Sequence, residues 1–338
     1  MAKIADRSED VTDEQWQKVN KFNREVTEEF LEESTQLSPK TLRQYASALR
    51  IFFFWVYENC EDISLLEIKS RDFLKYQNWL VRRGLSSSGV RLKRAAISSL
   101  NGHIVTYYED KYPMFKNFIT KKIPAPPLSD VHEKKPMNDE EWKLLLKNLE
   151  ERQEWQKIAY LKFTYSAGCR REETRQILKE VIDYKPIIKE KKVKNPDGIE
   201  EIKTAIFYQT GEVRCKGKGH KGEIRKLNFD QDAYDAIKKW LEVRGDDDIP
   251  YLFVTKYQGQ LKQAGEGVFN DWCKDDFSKI VGRRVHPHQL REQRATNMVL
   301  YENKDIKSAQ ALLGHKSSVT TEIYVIRDGS EDAEDAFI

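Results

Sequence analysis

Near its C-terminal end the chain reads LLGHKSSVTTEIYV (312–325), with a Gly-His pair nine residues ahead of a single tyrosine, Tyr324. A tyrosine at helical spacing can simply pack its ring, and a phenol with pKa near 10 is a poor nucleophile at neutral pH. Neighbouring positive charge would change that, and three other stretches supply it. In SAGCRREET (166–174) Arg170 is followed at helical spacing by Glu173, although a Gly beside an Arg also suits the end of one helix and the start of another. In RCKGKGHKGEIRKL (214–227) the glycines suggest a phosphate loop, but Gly211 and Gly217 have five residues between them and Lys218 is followed by Gly219. A nucleotide-binding loop of the G-x-x-x-x-G-K-[ST] kind is therefore excluded. What remains is a basic hairpin turn with Lys218 at its tip, free to reach a phosphodiester. In VHPHQLREQRATNMV (285–299) His286 and His288 have no Cys, Asp or Glu at ligand spacing, so a metal pair is a poor reading. His288 and Arg291 lie three apart, on one face of a helix that Pro287 can open. A phosphate suits that pair, with the arginine as a bidentate clamp and the histidine as a proton or hydrogen-bond partner.

These residues need elements to hold them. The 338 residues exceed one compact core, which predicts two domains. Residues 12–120 read as an all-α unit. TDEQWQKVNKFNREVTEEFLEE carries Trp16, Val19, Phe22, Val26 and Phe30 at helical spacing as one helix. SPKTLRQYASALRIFFFWVYEN follows with Ser38 as N-cap and Pro39 first in the helix, then SRDFLKYQNWLVRRG, then SSSGVRLKRAAISSLNGHIVTYYED. KKIPAPPLSDVHEKKP (121–136) has four prolines and no period, as an extended linker would. Beyond it two helices restart. IIKEKKVKNPDGIEEIKTAIFYQ then has two strand-like arms about an NPDG turn, and TGEVRCKGKG with KGEIRKLNF makes a second pair. DQDAYDAIKKWLEVRG returns to helix, PYLFVT is a short extended piece, and the rest to Val325 reads as helical.

Composition narrows the class. Charged residues make up 33% of the chain, yet the net charge is only +3, so distribution matters more than total. Acidic residues gather at both ends and basic ones in the middle, which fits a basic binding face and equally fits solvated helix surfaces. Cys60, Cys169, Cys215 and Cys273 show no CxxC pairing and read as free thiols of a reducing cytosol. IFFFWVY (51–57) is too short for a membrane span, and the opening MAKIADRSEDVTDEQ lacks a signal peptide's apolar core. The expectation is a cytoplasmic, nucleoid-associated protein.

Taken in order, Arg, Lys, His-x-x-Arg, Gly-His and Tyr, the four clusters resemble the tyrosine recombinase (integrase) family. SAGCRREET is similar to its T-G-L-R-x-S-E-L box, with Arg170 and Glu173 in place. GKGHKGEIRKL is similar to its G-K-G-x-K-x-R-x-V-P-L hairpin through Lys218, and HQLREQRAT to its H-x-L-R-H-T-x-A-T box through His288 and Arg291. LGHKSSVTTEIY resembles its L-G-H…T-T-x-x-Y box through His315 and Tyr324, and TLRQYASALRIFFFWVYEN resembles its core-binding domain. Cys169, Glu172, Glu292 and Gln293 depart from the usual residues at supporting positions. The resemblance implies a mainly α fold with a small antiparallel sheet. A helical, SAM-like core-binding domain (1–120) and the linker (121–136) would precede a mixed α/β catalytic domain (137–338). That domain would carry a β-insertion (about 180–213) and a C-terminal tail (327–338). Residues 1–11 are too few for the separate arm-site domain of many phage integrases.

The activity implied is site-specific DNA recombination through a 3′-phosphotyrosyl intermediate on Tyr324, without cofactor or metal. Arg170 and Arg291 would clamp the phosphate, and Lys218 would protonate the leaving oxygen. His288 and His315 would assist, and Glu173 would orient an arginine. Duplex DNA with inverted-repeat core sites is the expected partner, contacted by Arg91, Lys93 and Arg94 of the fourth helix and by Lys216 and Lys221 of the hairpin. Two cuts per duplex and two duplexes imply a homotetramer, for which Ala336–Ile338 could dock on a neighbour; a free tail is the alternative. The outcome would be integration, excision or transposition of a mobile element. A type IB topoisomerase-like relaxation enzyme and a catalytically silent DNA-binding regulator are the alternatives.

Overall fold

The computed structural model describes residues 10–127, 136–194, 200–215, 223–315, 317–322 and 325. They fall into two compact units, which meet in sequence near residue 133.

The first unit is helical: α1 (Asp13–Lys18), α2 (Lys21–Glu33), α3 (Pro39–Asn59), α4 (Ser70–Arg82) and α5 (Ser87–Tyr107). As the sequence predicts, Ser38 caps α3, its side chain accepting from the Thr41 amide, and Pro39 opens the helix. The single helix expected from Thr12 onward is two. α1 ends at its C-cap Val19, and Asn20 caps α2 by accepting from the Asn23 amide. Asp62, 42 residues away, holds Asn20 there by accepting its amide N–H at 3.1 Å. Leu49, Phe52, Phe53 and Val56 of α3 recur at three- and four-residue steps and bury one face against Phe73 and Tyr76 of α4 and Ile97 and Leu100 of α5. The expected linker starts as part of this unit. Ile123 is buried in its core, Gln77 donates to the Pro124 carbonyl (3.0 Å), and Arg94 donates to the Ile123 carbonyl (2.9 Å). Prolines bar a helix there but leave carbonyls free to accept these side chains.

The second unit opens with α6 (Asp139–Glu151), α7 (Trp155–Ala167) and the single turn α8 (Arg171–Thr174). A long antiparallel pair follows, β1 (Ile187–Lys194) and β2 (Glu200–Gln209), in the region expected for the β-insertion. β3 (Val213–Cys215) and β4 (Glu223–Arg225) pair antiparallel with Cys215 opposite Glu223, and β5 (Asn228–Phe229) extends the first sheet from β2. After α9 (Gln231–Arg244) the extended piece expected at 250–255 runs into β6 (Val254–Tyr257), and where helix was expected beyond it the chain first returns as β7 (Gln260–Gln263), completing a hairpin. Gln258 and Gly259 both adopt positive φ (49° and 80°), the geometry of a two-residue hairpin turn. Helix α10 (Val268–Asp271) runs through a π-helical stretch (272–277) into α11 (Ser278–Val281). Then come α12 (Pro287–Thr296), α13 (Ile306–Leu313) and α14 (Ser318–Glu322). Tyr160 centres the core, stacked on Phe269 with ring centroids 4.4 Å apart, edge-on to Phe253 and Trp272. Among the described residues no helix is long and apolar enough to cross a membrane.

Candidate active site

Two glycines in the left-handed region set the frame. Gly168 (φ 55°) ends α7, and Gly314 (φ 64°) ends α13. Neither tolerates a side chain, because a Cβ on Gly168 would lie 2.7 Å from Leu313 Cδ2 and one on Gly314 would lie 2.5 Å from Arg225 Nη1. The turns carrying Arg170 and His315 therefore pack against each other and against β4.

Arg291 braces them. It projects from α12, is 0% exposed, and donates from Nη1 to the Gly168 carbonyl and from Nη2 to the Leu313 carbonyl (2.7 Å). The first, third and fourth sequence boxes are thus joined through one guanidinium. His286 has an ordinary explanation, since its Nδ1 accepts from the Gln289 amide (3.1 Å) and caps α12 ahead of Pro287. His288 on the first turn is exposed. Gln293, at a departing position of the third box, donates to the Met137 carbonyl (2.9 Å) and ties α12 to the start of the unit.

Glu173 is 1% exposed and joins two arginines. One carboxylate oxygen accepts from Arg170 Nη1 (3.0 Å), and the other accepts both the Arg170 amide (2.9 Å) and Arg225 Nη2 (3.0 Å). Burial by itself would raise its pKa; Arg225 first and Arg170 second outweigh this and hold it below the usual carboxylate value. It is consequently ionised, and its two oxygens hold the Arg170 and Arg225 guanidinium groups. Arg225 also donates to the Leu312 carbonyl (2.8 Å) and to Cys215 Sγ (3.1 Å). The sequence reading passed over this residue. Laid on the hairpin pattern from Gly217, position 225 is where the pattern has Val. An arginine on a strand between buried Val213 and Leu227 was the available signal.

His315 is 7% exposed, and its Nδ1 lies 3.0 Å from the hydroxyl of buried Thr321, three residues ahead of Tyr324. Burial first, then Arg291, Arg170, His288 and Arg225, lower its pKa to about 4, so its ring is neutral at physiological pH. The sign follows: the folded state holds fewer protons than the unfolded one between pH 6.5 and 4. Stability from this group is complete above about 6.5 and is lost as pH falls towards 4. Urea midpoints taken across that window should decline with acid, and His315→Asn should flatten the decline.

Lys216, Lys218, Lys221, Tyr324 and Ala336–Ile338 lie outside the described residues. In the first unit Arg91 is exposed and Lys93 half-buried, while Arg94 is engaged internally with Gln77, the Ile123 carbonyl and the Phe73 ring. Among the described residues no three His, Cys, Asp or Glu side chains converge as metal ligands would.

A helical unit followed by a mixed unit, with Arg170, Arg225, Arg291 and His315 drawn to one cationic centre, is the architecture of the tyrosine recombinases. Residues 135–330 match the phage integrase family, and residues 28–102 match its N-terminal SAM-like domain. The chain is 33% identical over 334 residues to the SPbeta prophage-derived recombinase-like protein YomM of Bacillus subtilis (strain 168), covering 97% of this chain and 95% of that protein. It is 28% identical over 309 residues to tyrosine recombinase XerC of Escherichia coli O6:K15:H31, covering 88% and 89%. The Tn1549 transposon integrase, solved with circular intermediate DNA, has a similar fold: TM-score 0.62, 15% identity, covering 93% of this chain and 98% of that one. The chain belongs to the phage integrase family and is a tyrosine site-specific recombinase.

Proposed function

We propose that this recombinase cuts and rejoins duplex DNA through Tyr324, forming a 3′-phosphotyrosyl bond and freeing a 5′-hydroxyl. The energy of the broken bond is kept in the adduct, so rejoining needs no ATP. The observation that carries the reading is Arg291 bonding the Gly168 and Leu313 carbonyls, which brings Arg170, His315 and the helix leading to Tyr324 to one place. Positive charge there favours the phenolate as it attacks. Arg170 and Arg291 stabilise the equatorial oxygens of the pentacoordinate phosphorus, each worth on the order of 3 kcal/mol, or a hundredfold in rate. Lys218 delivers the proton to the leaving 5′-oxygen, His288 assists proton transfer at the tyrosine, and His315 hydrogen-bonds the phosphate as a neutral ring. These side chains supply the charge and the protons that a divalent ion would otherwise provide. Adduct formation should therefore proceed at full rate in EDTA, and a strict need for magnesium would overturn this step.

Two cuts on each of two duplexes require four protomers, so the working form is a homotetramer on paired inverted-repeat sites, serving a mobile element's integration, excision or transposition. The helical unit grips DNA with Arg91 and Lys93, and the hairpin adds Lys216 and Lys221; Arg94 is assigned instead to holding residue 123. Residues 127–136 then link the two units. A two-site recombination assay beside a supercoil-relaxation assay tests the reading. Exchange between sites is expected. Relaxation alone would indicate a topoisomerase, and binding without a covalent adduct would indicate a regulator.

A further inference from the structure

We propose that Arg225 is a positioning residue of this site, locking Glu173, and through it Arg170, against the Leu312–Gly314 turn that presents His315. The inference rests on the reading of the site as a phosphodiester centre and extends it to a residue of the hairpin stretch where the family's pattern has Val.

Three nitrogens of one planar group point three ways: Nη2 to Glu173 Oε2 at 3.0 Å, Nη1 to the Leu312 carbonyl at 2.8 Å, and Nε to Cys215 Sγ at 3.1 Å. Each target belongs to a different part of the site: the first box, the last box, and the strand that enters the hairpin. Only a guanidinium fork fixes all three angles at once; an ammonium is a point donor on a flexible stem. Packing alone does not call for an arginine here. Its neighbours Val213 and Leu227 are buried and apolar, and burial disfavours the charge that Glu173 then restores. Gly314 is fitted to it, since any Cβ would collide with the guanidinium at 2.5 Å. The guanidinium therefore fixes the distance between the turn holding Arg170 and the turn holding His315, the two groups that must meet one phosphate.

The test uses the full chain with Arg225→Met, which keeps bulk without charge, and Arg225→Lys, which keeps charge without the fork. The probe is a nicked duplex selected for cleavage by the wild-type protein, with enzyme in excess. A positioning role lowers the single-turnover rate constant of adduct formation by about a hundredfold in Arg225→Met, with a smaller loss in Arg225→Lys. DNA affinity and final adduct yield stay at wild-type levels. A wild-type rate constant with reduced yield would mean that Arg225 only keeps the protein folded, and would overturn the proposal. Imidazole NMR without DNA gives an independent arm. His315 is faced by Arg291, Arg170, His288 and Arg225, so its titration should move upward in Arg225→Met and stay put in Arg225→Lys. No movement in Arg225→Met would also overturn the proposal. If the wild-type chain forms no adduct on any duplex, the recombinase reading fails on its own, while the NMR arm still reports on Arg225.

Discussion

Tyr324→Phe should abolish the covalent DNA adduct completely while leaving duplex binding unchanged. The substitution removes one oxygen, the atom that would become bonded to phosphorus, and keeps the ring. No other residue in the proposed arrangement can replace it, since Arg170, Arg291, His288 and His315 are there to stabilise charge and move protons. Binding should survive because affinity for DNA comes mostly from contacts to many phosphates, of which the scissile one is a small part. Denaturing gel shift on a nicked duplex measures the adduct, and native gel shift measures binding. Residual adduct in the Phe variant would place the nucleophile elsewhere.

Arg291→Ala should produce the largest loss of stability of any single change in the site. The side chain is fully buried and joins the turns after α7 and α13 by two hydrogen bonds. Removing it strands the Gly168 and Leu313 carbonyls without their donor and opens a cavity of guanidinium size. The expected cost is about 3–5 kcal/mol, from two buried carbonyls left without a donor at about 1–3 kcal/mol each, with the cavity added. A fall in melting temperature on the order of 10 °C should accompany it. Arg291→Lys should recover part of the stability but little of the cleavage rate, because one ammonium cannot reach both carbonyls and also hold a fixed orientation to a phosphate. Thermal unfolding followed beside single-turnover cleavage separates the two effects. An alanine variant as stable as wild type would contradict the bracing role.

The parts of this molecule that were legible in the sequence are those set by local chemistry. Ser38 before Pro39 announces a helix start whatever surrounds it, and the NPDG and Gly-rich turns announce hairpins, so α3 and the β1–β2 and β3–β4 pairs stand where expected. The four boxes suggest one site because their residue types make sense only together, around a phosphate, and the structure joins Gly168, Arg291 and Leu313 of three of them. What escaped depends on partners far away in the chain. The break between α1 and α2 is held by Asp62, and residues 123 and 124 are folded back by Arg94 and Gln77, contacts that no local window contains. The β6–β7 hairpin hid in a polar stretch whose turn rests on Gln258, a residue that seldom takes positive φ. Arg225 was missed for a different reason. Its position in the hairpin pattern belongs to an apolar residue, and its importance becomes visible only when Glu173, Leu312 and Cys215 are seen around one guanidinium. Arg94, a basic residue on a basic helix face, is engaged within its own unit, and Arg91 likewise donates to the Pro126 carbonyl.

The identity and polarity of the covalent link test the central claim most directly. The wild-type chain is reacted with a nicked suicide duplex, the adduct is digested, and the DNA-bearing peptide is mapped by mass spectrometry. A single nucleotide-bearing residue is expected, Tyr324, joined to a 3′-phosphate, with a free 5′-hydroxyl on the released strand. A link to any other residue, or to a 5′-phosphate, would contradict it.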